Sequence, residues 1–219
     1  MARLSPPGRR TLARDTRWIR ALMRLQYSYH ISAAGTRNLM RLFIAIDVSD
    51  EVRRAAAELM AKLRASGADC KWVEPENLHL TLRFLGETPA EKIAEVKALM
   101  LQACRKPPLA IIFEKLGAFP SWNDPRVIWV GVGQGAGELS ALAGELGPDP
   151  EGRAFSAHLT IGRVRSRRHL AELRRAAASA GFARLAQRAD RLILFESRLT
   201  PRGPVYEALH EEKLGARGA

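Results

Sequence analysis

The sequence predicts an α+β fold built from two related halves. Strand-like and helix-like segments alternate, yet several connections are short hairpin-like turns, which do not suit a doubly wound parallel sheet. The same phrase also occurs twice, as His79-Leu80-Thr81-Leu82 and His158-Leu159-Thr160-Ile161, each in an apolar run followed by a predicted helix. We therefore expect a bilobal fold in which two small, mostly antiparallel sheets are flanked by helices. The two phrases should face each other across a central cleft.

The first half has clear signals for where its helices begin. Ser49 is a predicted N-cap, and the acidic residues after it favour a first helical turn, so a helix should run to about Ala65. Thr88-Pro89-Ala90-Glu91 has the pattern of a capping box and predicts a second helix to about Cys104. Strands are predicted at 41–48, 70–74 and 78–85.

The second half repeats this alternation. Pro107-Pro108 should stop the second helix, and Gly181 should end the last one. The Gly- and Ala-rich stretch 135–147 is a weaker helix signal. The other predicted elements are strands at 109–117, 126–132, 157–164, 190–199 and 205–210, and a helix at 168–180.

The basic charge of the chain is unevenly distributed. Its formal net charge is +12 over 219 residues, and residues 1–39 hold eight arginines against one acidic residue. We predict that 1–39 is a basic N-terminal extension, either disordered or a start-site artefact, and that 40–219 is one two-lobed domain. Met40 as the true first residue is the favoured reading. A basic tail that assists nucleic-acid binding and a transit-like presequence are the alternatives.

Composition also limits the class of protein. No segment approaches the run of about 20 apolar residues that a membrane span needs. Two cysteines in a chain of this size do not form a disulfide framework, so a reducing cytoplasm is the expected location. The moderately basic main body suits a polyanionic partner.

Each repeated phrase should place an imidazole beside a hydroxyl. Side chains at i and i+2 of a strand share one face and lie roughly 6.6 Å apart along it. His79, Thr81 and Arg83 are therefore predicted on an open face, opposite a buried apolar face. In the second copy, Gly162 should continue the open face and leave room for a ligand, whereas alternation points Arg163 away from His158. The apolar face of the first copy comprises Leu78, Leu80, Leu82 and Phe84.

Two histidines on opposite sides of a phosphate form a complete acid–base set. One neutral imidazole can take a proton from an attacking water while a protonated one gives a proton to the departing oxygen, and the ordinary pKa near 6.5 suits both tasks. The hydroxyls of Thr81 and Thr160 can donate to phosphate oxygens as charge develops there. No clustered acidic residues accompany the histidines, so we expect neither a metal nor another cofactor.

Longer segments of the sequence resemble a known family. The chain is similar to the two-histidine (2H) phosphoesterases, and within them to the bacterial and archaeal RNA 2′,3′-cyclic phosphodiesterases, also called 2′-5′ RNA ligases. The resemblance implies a pseudo-two-fold fold and hydrolysis of RNA 2′,3′-cyclic phosphate ends to 2′-phosphomonoesters. It also implies that His79 is the proton donor, His158 the proton acceptor, and Thr81 and Thr160 the phosphate-binding residues. The matching segments are 40–47, 72–86, 126–132, 155–164 and 194–197.

Two departures from the family pattern concern the rim of the cleft. Ser156-Ala157 stands where Arg-Pro is common before the second histidine, and segment 133–152 is shorter than usual. These differences bear on how the protein grips RNA, because the motif positions themselves are intact.

Several alternatives stay open at this level. The same site could join RNA ends, such as tRNA halves, through a 2′-5′ bond, or act on a small cyclic phosphate. A non-catalytic RNA-binding module is the alternative from another class. The expected partners are RNA ends with a 2′,3′-cyclic phosphate, with tRNA fragments as candidates, and the expected state is a monomer without membrane contact.

A few further residues have two readings each. Phe43 and Trp122 could stack on a base, although core packing and a loop contact are the simpler roles. The arginines that follow the second motif form either a solvated face or a contact to the RNA backbone. His30, His169 and His210 are expected to be surface residues.

Overall fold

The computed structural model describes residues 38–149, 152, 154–201 and 203–215. The predicted N-terminal extension at 1–39 lies outside these residues except for Asn38 and Leu39. The assignment of this segment as disordered or a start-site artefact therefore stays a prediction. Within the described part of the chain, no helix has both the length and the apolar character needed to cross a membrane.

Nine strands and four helices alternate along the described residues. The first segment of the chain contains β1 (Leu39–Asp47), α1 (Asp50–Arg64), β2 (Cys70–Trp72), β3 (His79–Pro89) and α2 (Ile93–Ala103). The second contains β4 (Leu109–Phe119), β5 (Val127–Val132), α3 (Ala136–Glu145), β6 (His158–Val164), α4 (Leu170–Ala180) and β7 (Leu185–Ala189). The chain then returns with β8 (Arg191–Thr200) and β9 (Gly203–Lys213).

The strands form one sheet with the two motif strands at its centre. The order is β7-β4-β5-β6-β3-β1-β8-β9, with β2 pairing beside β6, and every pairing among the described residues is antiparallel. Four strands therefore lie on each side of the junction between β6 and β3. The predicted α+β fold with two antiparallel halves is confirmed, and the two halves are joined edge to edge as one sheet.

A single bridge joins the two motif strands, β3 and β6. Leu80 of β3 pairs with Leu159 of β6, and both side chains are fully buried. Beyond that bridge the two strands separate, and β2 takes the place beside β6 from Gly162 onward. Because β8 and β9 complete the half that β1 and β3 begin, each half draws on segments that are distant in sequence.

Each motif strand carries a β-bulge at the same place. Ile44 pairs with Arg83 and Ala45 with Thr81, so one extra residue, Leu82, bulges in β3. In the other half, Ile128 pairs with Gly162 and Trp129 with Thr160, which makes Ile161 the corresponding extra residue. A bulge shifts the alternation of side chains by one residue. The faces assigned to the residues that directly follow each bulge, Arg83 and Phe84 in β3 and Gly162 and Arg163 in β6, therefore change.

The buried face of the sheet is covered by helices. Helix α1 begins as predicted, since the Ser49 hydroxyl accepts a hydrogen bond from the Val52 amide at 3.3 Å. Its apolar side buries Val52, Ala56, Leu59, Met60 and Leu63. These residues belong to the same core as the motif leucines, so the motif histidines are held on strands whose reverse face is anchored.

Two elements differ from the sequence-based prediction. The capping box at Thr88 is wrong, because β3 runs on to Pro89 and the Thr88 hydroxyl donates to the carbonyls of Leu85 and Gly86. Helix α2 therefore starts later, at Ile93. Strand β7 was not predicted, since its Leu-Ala-Gln-Arg-Ala sequence has weak strand propensity and its pairing with the β4 edge supplies the conformation.

Replacing Leu80 by alanine should lower the free energy of unfolding by about 2–5 kcal/mol, because it leaves a cavity at the bridge between the halves. Urea denaturation followed by circular dichroism measures this loss. Leu199→Ala is the matched control, since Leu199 is 47% exposed in β8 and should change the stability by less than about 1 kcal/mol. Equal losses in the two variants would contradict this role for the bridge.

Candidate active site

The structure brings the four predicted site residues together. With Leu80 opposite Leu159, the antiparallel register places His79 opposite Thr160 and His158 opposite Thr81. All four side chains face away from the buried leucines, on the concave side of the sheet. The two histidines are diagonal neighbours, at a separation of about 7–8 Å between backbone positions. We refer to these four residues as the four-residue patch.

Both imidazoles are oriented by the same type of backbone contact. His79 Nδ1 lies 2.8 Å from the Asn77 carbonyl oxygen, and His158 Nδ1 lies 2.7 Å from the Ser156 carbonyl oxygen. A carbonyl can only accept, so Nδ1 carries the proton and donates it in each ring. Among the described residues, no hydrogen bond occupies Nε2 of either histidine or the hydroxyls of Thr81 and Thr160. Nε2 is thus the atom that can exchange a proton with a ligand.

Aromatic rings surround His79. Its ring centre lies 4.8 Å from that of Phe43 and 5.1 Å from that of Tyr206. Phe43 is only 3% exposed and also stacks on Phe195 at 5.2 Å. Phe43 therefore packs the wall behind His79 and is not available to a base.

A second group of aromatic rings flanks His158. Phe119 meets the His158 ring edge to face at 5.1 Å, and Trp129 lies 6.3 Å away. The indole of Trp129 lies against Gly117 of β4, where any Cβ would be 2.2 Å from the ring. Only glycine at position 117 allows this close approach. Trp129 is opposite Thr160, and the corresponding residue opposite Thr81 is the small Ala45.

Burial controls the protonation of both histidines. Desolvation lowers the pKa of His79 from 6.5 to about 4, and it also lowers the pKa of His158. The negative charge of Asp47, which lies opposite His79 on β1, acts to raise the pKa of His79. The residue opposite His158 is Gly131, which has no charge to offer. The two imidazoles are therefore equivalent in register but different in electrostatic environment.

Arg163 lies on the same face as the histidines, and the sequence-based expectation for it is wrong. Arg163 pairs with Val127, which is two residues from Trp129 on the cleft face of β5. Its positive charge lowers the pKa values of both His79 and His158, which places it near both rings. The bulge at Ile161 causes the change of face, and strict alternation could not anticipate it.

The same bulge overturns the expectation for Gly162. A Cβ at Gly162 would lie 2.8 Å from Cys70 Sγ and 2.9 Å from the Trp72 ring. Since Trp72 is buried in the core, Gly162 faces the core and leaves no room for a ligand. It is required for the packing of β2 on β6 instead.

The bulge in β3 exchanges Arg83 and Phe84. Phe84 pairs with Phe43 on the cleft face, with ring centres 6.2 Å apart, although the sequence had placed it on the buried face. Arg83 was expected in the cleft but pairs with the buried Ile44. Its guanidinium lies beside Gly147, just after α3.

The remaining sequence candidates lie elsewhere. His169 is the residue before α4 and His210 lies in β9 beside Glu212, while His30 is outside the described residues. Trp122 packs partly buried against the core. Arg165, Arg167 and Arg168 are exposed.

Cys70 and Cys104 are free thiols. Within the described residues, no group of three or more His, Cys, Asp or Glu side chains is arranged to hold a metal ion.

Comparison with known proteins places this geometry in a family. The model of the LigT-like phosphoesterases matches residues 46–129 and 131–206. This chain belongs to the LigT-like phosphoesterases. The predicted family and the prediction that the chain is an enzyme are thereby confirmed.

Relatives of this phosphoesterase are named by their activity. It is 40% identical over 178 residues to the RNA 2′,3′-cyclic phosphodiesterase of Archaeoglobus fulgidus, covering 78% of this chain and 98% of the relative. It is 36% identical over 179 residues to the enzyme of the same name from Thermotoga maritima, covering 78% and 94%.

Solved structures of the family share the fold. Escherichia coli LigT complexed with 3′-AMP superposes with a TM-score of 0.68 at 26% identity, covering 81% of this chain and 99% of that one. A Thermus thermophilus protein gives a TM-score of 0.67 at 29% identity, covering 82% and 100%.

The pKa of His79 should be about 4 in the free protein, and Arg163→Met should raise the pKa values of both histidines. Loss of a nearby positive charge makes each imidazolium easier to form. Proton–nitrogen NMR titration of the imidazoles measures both values. Arg165→Met, which removes an exposed arginine of the same strand region, should leave them unchanged, and a His79 that titrates near 6.5 would contradict the burial argument.

Proposed function

We propose that this phosphoesterase hydrolyses RNA 2′,3′-cyclic phosphate ends to 2′-phosphomonoesters by acid–base catalysis with His79 and His158. The observation that supports the proposal most strongly is the placement of two Nε2 atoms, both without a protein partner among the described residues, on one face of two neighbouring strands. Each Nδ1 is already held by a carbonyl. Both rings are therefore ready to transfer a proton through the opposite nitrogen.

The reaction needs one proton removed and one delivered. His158 accepts a proton from the attacking water as the new oxygen–phosphorus bond forms. The bond between phosphorus and O3′ breaks, and His79 delivers a proton to O3′, which leaves as the ribose hydroxyl. The product keeps its phosphate on O2′. Protons balance because the acid ends neutral and the base ends protonated, and exchange with solvent resets them.

Three donors are placed to stabilise the charge that grows on phosphorus. The hydroxyls of Thr81 and Thr160 are diagonal partners within the four-residue patch and can each donate to a non-bridging oxygen. Arg163 supplies a positive charge on the same face. Two imidazoles and these donors provide every proton and charge that the step requires, so it needs no metal ion.

Asp47 is the negative charge that acts on His79, the proposed proton donor. It lies opposite His79 and acts to raise the pKa of that imidazole, although burial is the larger effect and lowers it. His158 lies opposite Gly131 and lacks such a carboxylate. A bound phosphate anion also raises the pKa of His79, because it counters the burial that lowers it to about 4 in the free protein. Substrate binding therefore protonates the donor.

The relatives define the substrate class, and the finer assignments are part of the proposal. Proteins 40% and 36% identical to this chain bear the name RNA 2′,3′-cyclic phosphodiesterase. We extend that substrate to this chain, with tRNA fragments as candidate ends, and we propose that it acts as a monomer in the cytoplasm.

His79→Ala and His158→Ala should each reduce the rate of opening of an oligoribonucleotide 2′,3′-cyclic phosphate by about 10²- to 10⁴-fold. The product is identified as the 2′-phosphate by chromatography against synthetic oligoribonucleotides that end in a 2′-phosphate or a 3′-phosphate. EDTA should leave the wild-type rate unchanged. His169→Ala is the matched control, since His169 is exposed and lies before α4. Full activity in either motif variant would end the proposal.

The two histidines should have opposite effects on the pH dependence of the residual rate. When His79 is replaced by asparagine, only the base remains and must be neutral, so the residual kcat should rise with pH. When His158 is replaced, only the acid remains and must be protonated, so the residual kcat should fall with pH. Steady-state assays from pH 5 to 9 measure both slopes. Reversed slopes would exchange the two roles.

A further inference from the structure

We propose that Lys71 binds the phosphodiester one nucleotide upstream of the cyclic end, so that the site selects an RNA strand over a mononucleotide. The proposal rests on the function proposed above and adds a second phosphate-binding position to it. Its basis is the pairing of Lys71 with Arg163 between β2 and β6.

Lys71 and Arg163 lie directly opposite each other on one face of the sheet. Trp72, the next residue of β2, is buried in the core beside Gly162, so Lys71 faces the cleft together with Arg163. Two like charges in directly opposed positions of an antiparallel pair destabilise the fold. An anion between or beside them removes that cost.

Neither cation has a carboxylate partner within the described residues, where the ion pairs involve other side chains. Arg163 is also desolvated, which lowers its pKa. Partial burial of an arginine without a counter-ion costs free energy. The two cations are therefore better explained by binding of a polyanionic ligand than by a contribution to folding stability.

The positions of Arg163 and Lys71 assign each of them to a different phosphate group. The charge of Arg163 acts on both motif histidines, so it belongs to the phosphate that reacts. Lys71 lies one strand further out, where β2 has replaced β3 beside β6. Strand spacing puts its backbone about 5 Å beyond that of Arg163, and its long side chain extends the reach. Lys71, unlike Arg163, is not among the charges that shift the pKa of either histidine.

The location of Lys71 also matches the side on which RNA leaves the cleft. A Cβ at Gly203, the first residue of β9, would lie 3.4 Å from Lys71 Nζ. The next residue, Pro204, accepts a hydrogen bond from the Asn77 side chain at 3.0 Å, and Tyr206 contacts His79. Lys71 is therefore on the His79 side. Since His79 protonates O3′, the ribose and the upstream strand lie on this side.

The test compares three substrates with and without the Lys71 charge. They are a nucleoside 2′,3′-cyclic phosphate, a dinucleotide with the same cyclic end, and that dinucleotide with an uncharged methylphosphonate linkage. Lys71→Met keeps the apolar stem and removes the charge, Lys71→Arg keeps a charge, and Lys62→Met is the control because Lys62 is exposed at the end of α1.

Lys71→Met should reduce the ratio of kcat/KM for the charged dinucleotide to that for the uncharged one by about tenfold. Lys71→Arg should restore most of the ratio, and Lys62→Met should not change it. The dependence of log KM on log salt concentration should also become shallower by about 0.7 for the charged dinucleotide, as expected for one lost contact to a single strand.

Equal losses on all three substrates, or no loss on the charged dinucleotide, would overturn the role of Lys71. Binding of both dinucleotides to His158→Ala, with and without Lys71→Met, is measured by calorimetry and needs no turnover. If the wild-type protein opens no cyclic phosphate while Lys71→Met still abolishes the preference for the charged dinucleotide in binding, the proposed reaction fails and the phosphate site stands. Unchanged binding selectivity would refute the site independently of catalysis.

Discussion

The contact between Leu80 and Leu159 is the constraint on which the rest of the site depends. These two buried leucines form the one bridge between β3 and β6, and their register decides which polar side chains become neighbours. A slip of one residue would turn an imidazole into the core. The hydrophobic face therefore positions the proposed catalytic face, since burying the two leucines puts the two histidines and two threonines on the opposite side of the sheet.

The paired bulges are the second determinant of the site. A strand that keeps its alternation presents polar residues at every second position, but both motif strands gain one residue after the threonine. In β6 this turns Arg163 toward the histidines and Gly162 into the core. In β3 it brings Phe84 into the cleft and sends Arg83 to the end of α3. Both halves contain the same β-bulge. In β6 it places an arginine side chain on the cleft face, and in β3 it places a phenylalanine ring there.

The two histidines also have different neighbours, although the two halves of the fold are nearly symmetric. His79 has Asp47 opposite it, whereas His158 has Gly131. Within the described residues neither Arg163 nor Lys71 forms an ion pair with a carboxylate, and burial lowers the pKa values of both imidazoles. In the proposed mechanism an anionic substrate neutralises the cations and also raises the pKa values of the imidazoles. Binding and activation are coupled through the same charge.

The amino-acid sequence was sufficient to predict the fold class, the repeat, most helix and strand positions, and the four residues of the patch, because local periodicity and a doubled motif are visible without any long-range contact. It also suggested the family, through the segments around each motif. The tertiary structure set the faces of Arg163, Gly162, Arg83 and Phe84, since a bulge depends on the partner strand. It also decided the pairing of Lys71 with Arg163 and of Asp47 with His79. Those neighbours come from distant segments, and their electrostatic effects exist only once the strands meet.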